Sequence, residues 1–263
     1  MTQWFFGFSG NAAGWFREMV QVAVLSAKAN TSLEAHCIYD GPDNDLIDWL
    51  DAAGVTVHRD QVPFRDELFS EVVKARNAGS HYSPEHATGH FLRLLVARHA
   101  SGDAALYTDC DVMFRRDPTV TTPVRVAAAA ELKDGQPSST SFNSGVMLFN
   151  LANYRAISDD LIAFCRENGF YRPKQSSYDQ VLLNLYYANK WETLPPTMNW
   201  RPSQGVNVDA EIVHFHGPKP HRVQAILDGR GIRGEEQLLP IIERDREAYD
   251  SYIAEFRSYL LMA

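Results

Sequence analysis

Two carboxylates, one residue apart, interrupt the otherwise apolar stretch LYTDCDVMF at residues 106–114. An ionised carboxylate among apolar side chains is costly unless it is paired, hydrogen-bonded or bound to a metal. In an extended chain, Asp109 and Asp111 project to one side while Cys110 faces the other. Two hard oxygen donors suit Mg²⁺ or Mn²⁺, which in turn hold phosphate oxygens. The pair therefore predicts a metal site, and a structural pair of turn or helix-cap aspartates is the alternative.

Short apolar runs separated by helical patterns predict an α/β fold. Helices are predicted over residues 15–29, 43–53 and 90–99. Buried strands are predicted at residues 4–8, 35–40, 55–58, 104–108, 124–130 and 145–150. The resulting β-α-β-α-β opening favours a mostly parallel central sheet flanked by helices. Ligands bind at the carboxyl ends of strands in such sheets, and the two aspartates follow one of these strands.

The length of 263 residues, with 45% hydrophobic content, fits one large domain. From residue 235 onward, apolar residues at 242, 249, 253, 256 and 260 form a helical stripe. We therefore expect residues 1–263 to form a single domain, with 235–263 as a C-terminal helical extension packed on it.

Charge and cysteine content narrow the classes of partner and compartment. A balance of 25 Lys+Arg against 33 Asp+Glu gives a net charge of −8, which argues against nucleic acid as a partner. Three scattered cysteines without CxxC spacing indicate neither a disulfide framework nor a zinc site. We see no signal-peptide pattern and no apolar run of membrane-spanning length. We expect a cytoplasmic protein without a transmembrane segment.

Three further motifs follow the aspartates in order: FNSGVMLFNL at 142–151, SYDQVLLN at 177–184 and IVHFHGPKP at 212–220. Together with LYTDCDVMF they resemble the family-eight retaining glycosyltransferases of the galactosyltransferase and glycogenin type. The resemblance covers about residues 90–220. It implies a GT-A-type fold and a retaining hexosyltransferase. Such an enzyme moves a sugar from a nucleotide-diphosphate donor, with UDP the expected nucleotide, to a hydroxyl of a carbohydrate or other acceptor.

The resemblance implies a metal site and a phosphate contact. Asp109, Asp111 and His214 match the family's ligands for Mn²⁺, with Mg²⁺ as the alternative ion. Lys219 matches the lysine that contacts the donor phosphates, and Gly217 belongs to the same motif.

The last motif departs from the family pattern. Its sequence HFHGPKPH is one residue shorter between Gly217 and Lys219, and it ends in His221 where the family has tryptophan. The family spacing selects His214 as the ligand and leaves His216 as its neighbour. The N-terminal segment GFSGNAAG has no counterpart of the family's aspartate, so the residues that recognise the base are not assigned.

The resemblance also implies the residues around the donor sugar. Arg93 matches a donor contact, Asn143, Asp179 and Gln180 match residues that line the sugar, and Glu131 stands where the family often has aspartate. Oxygens of Asp179 and Gln180 would face an oxocarbenium-like sugar. The predicted catalytic residues are Asp179, Gln180 and Lys219. The predicted donor-binding residues are Arg93, Asp109, Asp111, Glu131, Asn143, Gly217 and Lys219.

Each assignment has a structural alternative. Arg93 could lie on the surface of an amphipathic helix, Asn143 could form a turn before Gly145, Asp179 could cap a helix, and Lys219 could be a solvated loop residue. Two other functions are compatible with the motifs. One is a non-catalytic protein that binds sugar nucleotides or carbohydrate. The other is a phosphohydrolase of the haloacid dehalogenase type, which normally carries its DxD motif on the first strand.

Overall fold

The computed structural model describes residues 2–10, 14–79, 82–133, 135–171, 178–232 and 234–262. Its strands, in chain order, are β1 (Gln3–Ser9), β2 (Glu34–Asp40), β3 (Thr56–Arg59), β4 (Ala104–Thr108), β5 (Val112–Phe114), β6 (Val126–Lys133), β7 (Gln136–Asn150), β8 (Glu192–Thr193) and β9 (Ile212–His214). Its α-helices are α1 (Trp15–Asn30), α2 (Asp45–Ala52), α3 (Arg65–Phe69), α4 (Glu71–Arg76), α5 (Pro84–Phe91), α6 (Val96–His99), α7 (Leu151–Glu167), α8 (Asp179–Tyr186), α9 (Pro220–Leu227), α10 (Leu239–Arg244) and α11 (Arg246–Leu260). Short 3₁₀ turns lie at Leu92–Leu95, Pro196–Asn199, Pro202–Gln204 and Glu236–Leu238.

The chain forms two compact units whose segments alternate along the sequence. The first unit contains residues 1–12, 34–109 and 120–194. The second contains residues 13–33, 110–119 and 195–263. The division passes between Asp109 and Cys110, within the DxD motif. The prediction that residues 1–263 form a single domain, with 235–263 as a C-terminal helical extension, stays a prediction.

The first unit is built on a central sheet. Within the described residues this sheet has seven strands in the order β3-β2-β1-β4-β7-β6-β8. Strand β1 is parallel to β2 and β4, β3 is parallel to β2, and β8 is parallel to β6, whereas β7 runs antiparallel to β4 and β6. Helices α2, α5, α7 and α8 contact these strands. The predicted α/β fold, a mostly parallel sheet flanked by helices, is confirmed.

The predicted opening of the fold is observed nearly to the residue. The runs at 4–8, 35–40, 55–58 and 104–108 form β1 to β4. Apolar residues on both faces of β1, β2 and β4 are buried, as in a parallel sheet, whereas the edge strand β3 is partly exposed. The runs at 124–130 and 145–150 fall in β6 and at the end of the longer β7. Asn44 sets the start of α2, since its side-chain oxygen accepts from the N–H groups of Leu46 and Ile47 at 3.0 and 3.3 Å.

The predicted helix over 90–99 is wrong in detail. Helix α5 ends at Phe91, a 3₁₀ turn follows at Leu92–Leu95, and α6 begins at Val96. All four residues of the turn are buried, Arg93 included. Residues 91–97 are all buried, so this segment has no exposed polar face, and the exposed residues His90 and Arg98 lie on either side of it.

The stretch around the two aspartates is also not one continuous strand. Strand β4 ends at Thr108, β5 begins at Val112, and the chain bends between them. The N–H of Asp109 donates to the carbonyl of Gly145 in β7 at 2.8 Å, within the first unit. The carbonyl of Asp111 accepts from the N–H of Phe215 at 2.9 Å, within the second. The backbone therefore changes hydrogen-bonding partners inside the motif, which releases both aspartates from a regular strand.

The second unit packs its helices on a small antiparallel pair, β5 and β9. Its apolar core draws on α1, both strands and α11, with Met19, Met113, Val213 and Phe256 among the buried residues. Asn30 of α1 donates to the carbonyl of Phe114 and to the Tyr259 hydroxyl, at 2.9 and 2.7 Å. Over the part of the chain that the structure describes, none of the helices combines the length and apolar character needed to cross a membrane.

Candidate active site

Arg93 is the most deeply buried charged side chain of the candidate site, at 1% exposure. Its Nη2 lies 2.7 Å from Oδ1 of Asp109, and its Nε lies 2.8 Å from Oδ2 of Asp179. Its Nη1 donates to the Ser144 carbonyl, and its guanidinium lies 4.7 Å from the centre of the Tyr107 ring. A buried charge needs such partners, and the guanidinium fork can serve several at once. The surface alternative for Arg93 is wrong.

Asp179 is held as a carboxylate by its neighbours. It is the first residue of α8, its side chain is 4% exposed, and Nδ1 of His90 lies 3.3 Å from its Oδ1. Burial raises the pKa of Asp179, but the charge of Arg93 and the hydrogen bond from His90 outweigh it and lower the pKa to about 2. The opposing charges of Asp179 and Asp109 likewise outweigh burial and raise the pKa of Arg93. The N-cap of α8 is Tyr178, so the helix-cap alternative for Asp179 is wrong.

Three of the residues predicted to surround the sugar lie together. Oε1 of Gln180 accepts from Nδ2 of Asn143 at 3.0 Å and from the Ser144 N–H at 3.1 Å. Nε2 of Gln180 donates to Oε2 of Glu131 at 3.2 Å. Asn143 is buried within β7, and its Oδ1 also accepts from the Gly145 N–H at 3.1 Å. The hydrogen bond to the Gly145 N–H is the one expected if Asn143 only formed a turn. Asn143 also donates to Gln180, so forming a turn is not its whole role.

Local structure places these side chains. The register between β6 and β7 shifts between Ala128 and Ala129 and again between Ala130 and Leu132, across Glu131, and such irregularities re-aim a side chain. Asn184, one turn after Gln180, joins α8 to β7: its Oδ1 accepts from the Phe142 N–H at 2.7 Å, and its Nδ2 donates to the Phe142 carbonyl at 2.8 Å. Sequence analysis missed Asn184, although it stands in the SYDQVLLN motif, four residues from Gln180. Ser177 of that motif lies outside the described residues.

In the second unit, one carboxylate is shared between an imidazole and an ammonium group. Oδ1 of Asp111 lies 3.2 Å from Nε2 of His214, and Oδ2 pairs with Nζ of Lys219. Burial would raise the pKa of Asp111, but Lys219 and His214 outweigh it and hold the pKa well below its usual range. The solvated alternative for Lys219 is wrong, since Nζ also donates to the Phe215 carbonyl at 2.9 Å.

His214 has the environment of a metal ligand. It is 1% exposed, and its Nδ1 lies 2.8 Å from Oδ1 of Asn199. An amide oxygen can only accept, so Nδ1 donates to Asn199, and Nε2 is the ring nitrogen that faces Asp111. An oxygen partner on the second nitrogen is the usual support of a ligating histidine. Asn199 was missed by sequence analysis, because its only signal was a place in a proline-rich loop.

The turn that carries Lys219 is conformationally restricted. Gly217 has φ of 89°, in the left-handed region that favours glycine. Lys219 is the N-cap residue of α9, and Pro220 is the first residue of that helix. His216 is exposed, with its ring centre 5.4 Å from that of His214.

A family model, one curated relative and several solved structures are similar to this chain. Residues 15–222 match the model of glycosyl transferase family 8. A segment of 114 residues is 31% identical to a probable glycosyl transferase, Gly, of Streptococcus gordonii; it spans 40% of the present chain and only 16% of that protein. The galactosyltransferase LgtC, solved with donor and acceptor sugar analogues, superposes with a TM-score of 0.59 at 18% identity, covering 91% of the present chain and 95% of LgtC. Mouse xyloside xylosyltransferase 1 superposes with a TM-score of 0.54 at 15% identity, covering 82% and 97% of the two chains.

The buried ion network predicts a large cost for removing Arg93. We expect Arg93→Met to lower the free energy of unfolding by about 3–5 kcal/mol, because two carboxylates lose their partner. Arg98→Met is the matched control: Arg98 lies on α6, is 46% exposed and pairs with Asp60 at 3.5 Å. It should cost less than about 1 kcal/mol. Urea denaturation followed by circular dichroism measures both, and equal losses would contradict the role given to Arg93.

Proposed function

The chain belongs to glycosyl transferase family 8, and from that premise we propose that it is a retaining, metal-dependent hexosyltransferase. It would move a hexose from a nucleotide-diphosphate sugar, with UDP as the nucleotide, to a hydroxyl of a carbohydrate or another acceptor. The observation that carries the proposal is the carboxylate of Asp111, shared between His214 and Lys219. This arrangement joins ligands for a hard cation to a charge suited to phosphate.

We propose Asp109, Asp111 and His214 as the ligands of a divalent cation, Mn²⁺ or Mg²⁺. Two carboxylates and one imidazole form a ligand set that Mn²⁺ accepts. The fit is supported by the bond from His214 to Asn199, which turns Nε2 towards Asp111. When bound, the cation would supply positive charge to the diphosphate of the donor.

Lys219 would stabilise the departing diphosphate. Negative charge develops on the leaving oxygen as the bond to the sugar breaks, and a fixed ammonium group favours that state over the bound donor. The bonds from Nζ to Asp111 and to the Phe215 carbonyl fix the side chain in advance. Gly217 would let the backbone of this turn approach the donor closely.

Residues of the first unit would contact the sugar. Asp179 is a carboxylate at neutral pH, and its charge would favour an oxocarbenium-like sugar. Gln180, Asn143 and Glu131 form one hydrogen-bonded group with donors and acceptors for hydroxyls. Arg93 would act on the donor through Asp109 and Asp179, whose positions it fixes.

The family narrows the alternatives. Membership in a glycosyl transferase family does not support the phosphohydrolase as an alternative function of this chain. A non-catalytic binding protein would retain nucleotide-sugar binding without turnover, so an assay of UDP release separates it from an enzyme. The structural neighbours include a galactosyltransferase and a xylosyltransferase. Galactose is a hexose and xylose is a pentose, so an assay with a panel of UDP-hexoses and UDP-pentoses tests whether the transferred sugar is a hexose.

The proposed ligand set predicts that metal and nucleotide bind together. We expect Mn²⁺ with UDP to raise the Tm more than either alone, because the cation joins the carboxylates to the phosphates. His214→Ala should abolish that extra shift. His216→Ala is the matched control, since it removes an exposed imidazole two residues away, and it should preserve the shift.

Differential scanning fluorimetry with UDP-sugars, with and without Mn²⁺, measures these shifts. A protein whose Tm responds to no nucleotide-sugar under either condition would contradict the proposed function. A larger loss in His216→Ala than in His214→Ala would move the ligand assignment to His216.

The role of Lys219 predicts a loss in turnover rather than in binding. Lys219→Ala should lower kcat for UDP release by roughly 100-fold, because one preorganised charge on the leaving group is removed. The Kd for the UDP-sugar donor, measured by isothermal titration with Mn²⁺ present, should change much less, because the leaving oxygen of the bound donor does not yet carry that charge. Lys190→Ala, at an exposed lysine, controls for the loss of one positive charge. A Lys219→Ala protein with unchanged kcat would exclude Lys219 from leaving-group stabilisation.

A further inference from the structure

His90 contacts the buried ion pair of Arg93 and Asp179 from the side that faces solvent. It is the penultimate residue of α5, and its side chain is 47% exposed. Its Nδ1 lies 3.3 Å from Oδ1 of Asp179, the carboxylate proposed to face the sugar. No sequence motif marks His90, which precedes the predicted donor contact Arg93 by three residues.

The ring of His90 is oriented on more than one side. It stacks on Tyr178, with ring centres 5.0 Å apart and planes 18° from parallel. Tyr178 is itself fixed, since its hydroxyl accepts from the Ser83 N–H at 2.9 Å and its ring packs 4.8 Å from that of Tyr171. The backbone carbonyl of His90 accepts from Nε of Arg93 at 3.2 Å, which holds the backbone that carries the ring. An exposed histidine held in this way differs from a solvated surface residue.

The contact with Asp179 determines what the other ring nitrogen can do. A carboxylate only accepts hydrogen bonds, so Nδ1 carries the proton that it donates to Asp179. In a neutral imidazole Nε2 is then an acceptor on the opposite edge of the ring. An acceptor beside the carboxylate, on a half-exposed side chain, matches the hydroxyl groups of a sugar.

We infer that His90 is a substrate-contacting residue whose Nε2 accepts a hydrogen bond from a sugar hydroxyl while Nδ1 holds Asp179. This inference rests on the proposed function, because it places a sugar next to Asp179. The hydroxyl belongs either to the transferred sugar of the donor or to a saccharide acceptor. In both cases a sugar hydroxyl donates to Nε2. The two cases differ in whether the loss of this bond is detected with the donor alone or only with a saccharide acceptor.

Amide substitutions separate the two nitrogens. The side-chain amide of Asn reaches the position of Nδ1, so His90→Asn keeps a donor for Asp179 and loses the outer acceptor. The longer Gln places its amide near Nε2, so His90→Gln keeps the outer contact. His90→Ala removes both. His86→Ala is the matched control, because His86 is an exposed histidine one turn earlier in α5.

The assay is UDP release from UDP-glucose and UDP-galactose with Mn²⁺ present, with water as acceptor in one arm and a panel of mono- and disaccharides in the other. We expect His90→Ala and His90→Asn to lower kcat/KM about tenfold, as for the loss of one hydrogen bond, and His90→Gln to retain most of it. A loss already present with water assigns the hydroxyl to the donor. A loss confined to the saccharide arm assigns it to the acceptor.

Two results would overturn the inference. If His90→Gln retains no more activity than His90→Asn, the ring acts only through Asp179 or not at all. If His90→Ala equals His86→Ala, His90 contacts no substrate. If the unmodified protein releases no UDP in either arm, the proposed function is contradicted, and the inferred contact of His90 fails with it. This result differs from the two above, in which the unmodified protein is active.

Discussion

The buried guanidinium of Arg93 is the constraint on which the first unit depends. A charge at 1% exposure must be matched by opposite charge and by hydrogen bonds, and Asp109, Asp179 and the Ser144 carbonyl provide them. The three partners stand on separate parts of the chain: the end of β4, the start of α8 and the middle of β7. Satisfying one side chain therefore fixes the relative positions of three elements. The carboxylate of Asp179 is held ionised and both carboxylates are oriented by the fold, and such preorganisation is the condition for electrostatic catalysis.

In the second unit, a single carboxylate is likewise matched by charged and hydrogen-bonding partners. The single carboxylate of Asp111 is matched by His214 and Lys219, and His214 is oriented in turn by Asn199. Each partner comes from a short loop or strand whose own backbone is fixed by β5, β9 or the start of α9. Such a group gives up little conformational freedom when a ligand binds, because its side chains are already held.

Sequence patterns predicted the elements better than the contacts. Apolar runs located β1 to β4, and the motif resemblance named Asp111, His214, Lys219, Asn143, Asp179 and Gln180, whose roles stay predictions. The burial of Arg93 was not predicted, since the resemblance implied a donor contact and the structural alternative was a surface position. The segment FLRLLVA nevertheless surrounds the arginine with apolar residues on every side. Asn184 and Asn199 were missed for a different reason. Each acts through an amide that meets a partner 15 or more residues away, a pairing that neither periodicity nor local spacing encodes.

The central claim is that Asp109, Asp111 and His214 hold the cation that carries the diphosphate of the donor. Anomalous diffraction at the manganese edge, from crystals grown with Mn²⁺ and UDP, tests it most directly. We expect one anomalous peak in contact with the carboxylates of Asp109 and Asp111, with Nε2 of His214 and with oxygens of the diphosphate. A bound diphosphate without manganese at these three residues, or with manganese ligated elsewhere, would contradict it.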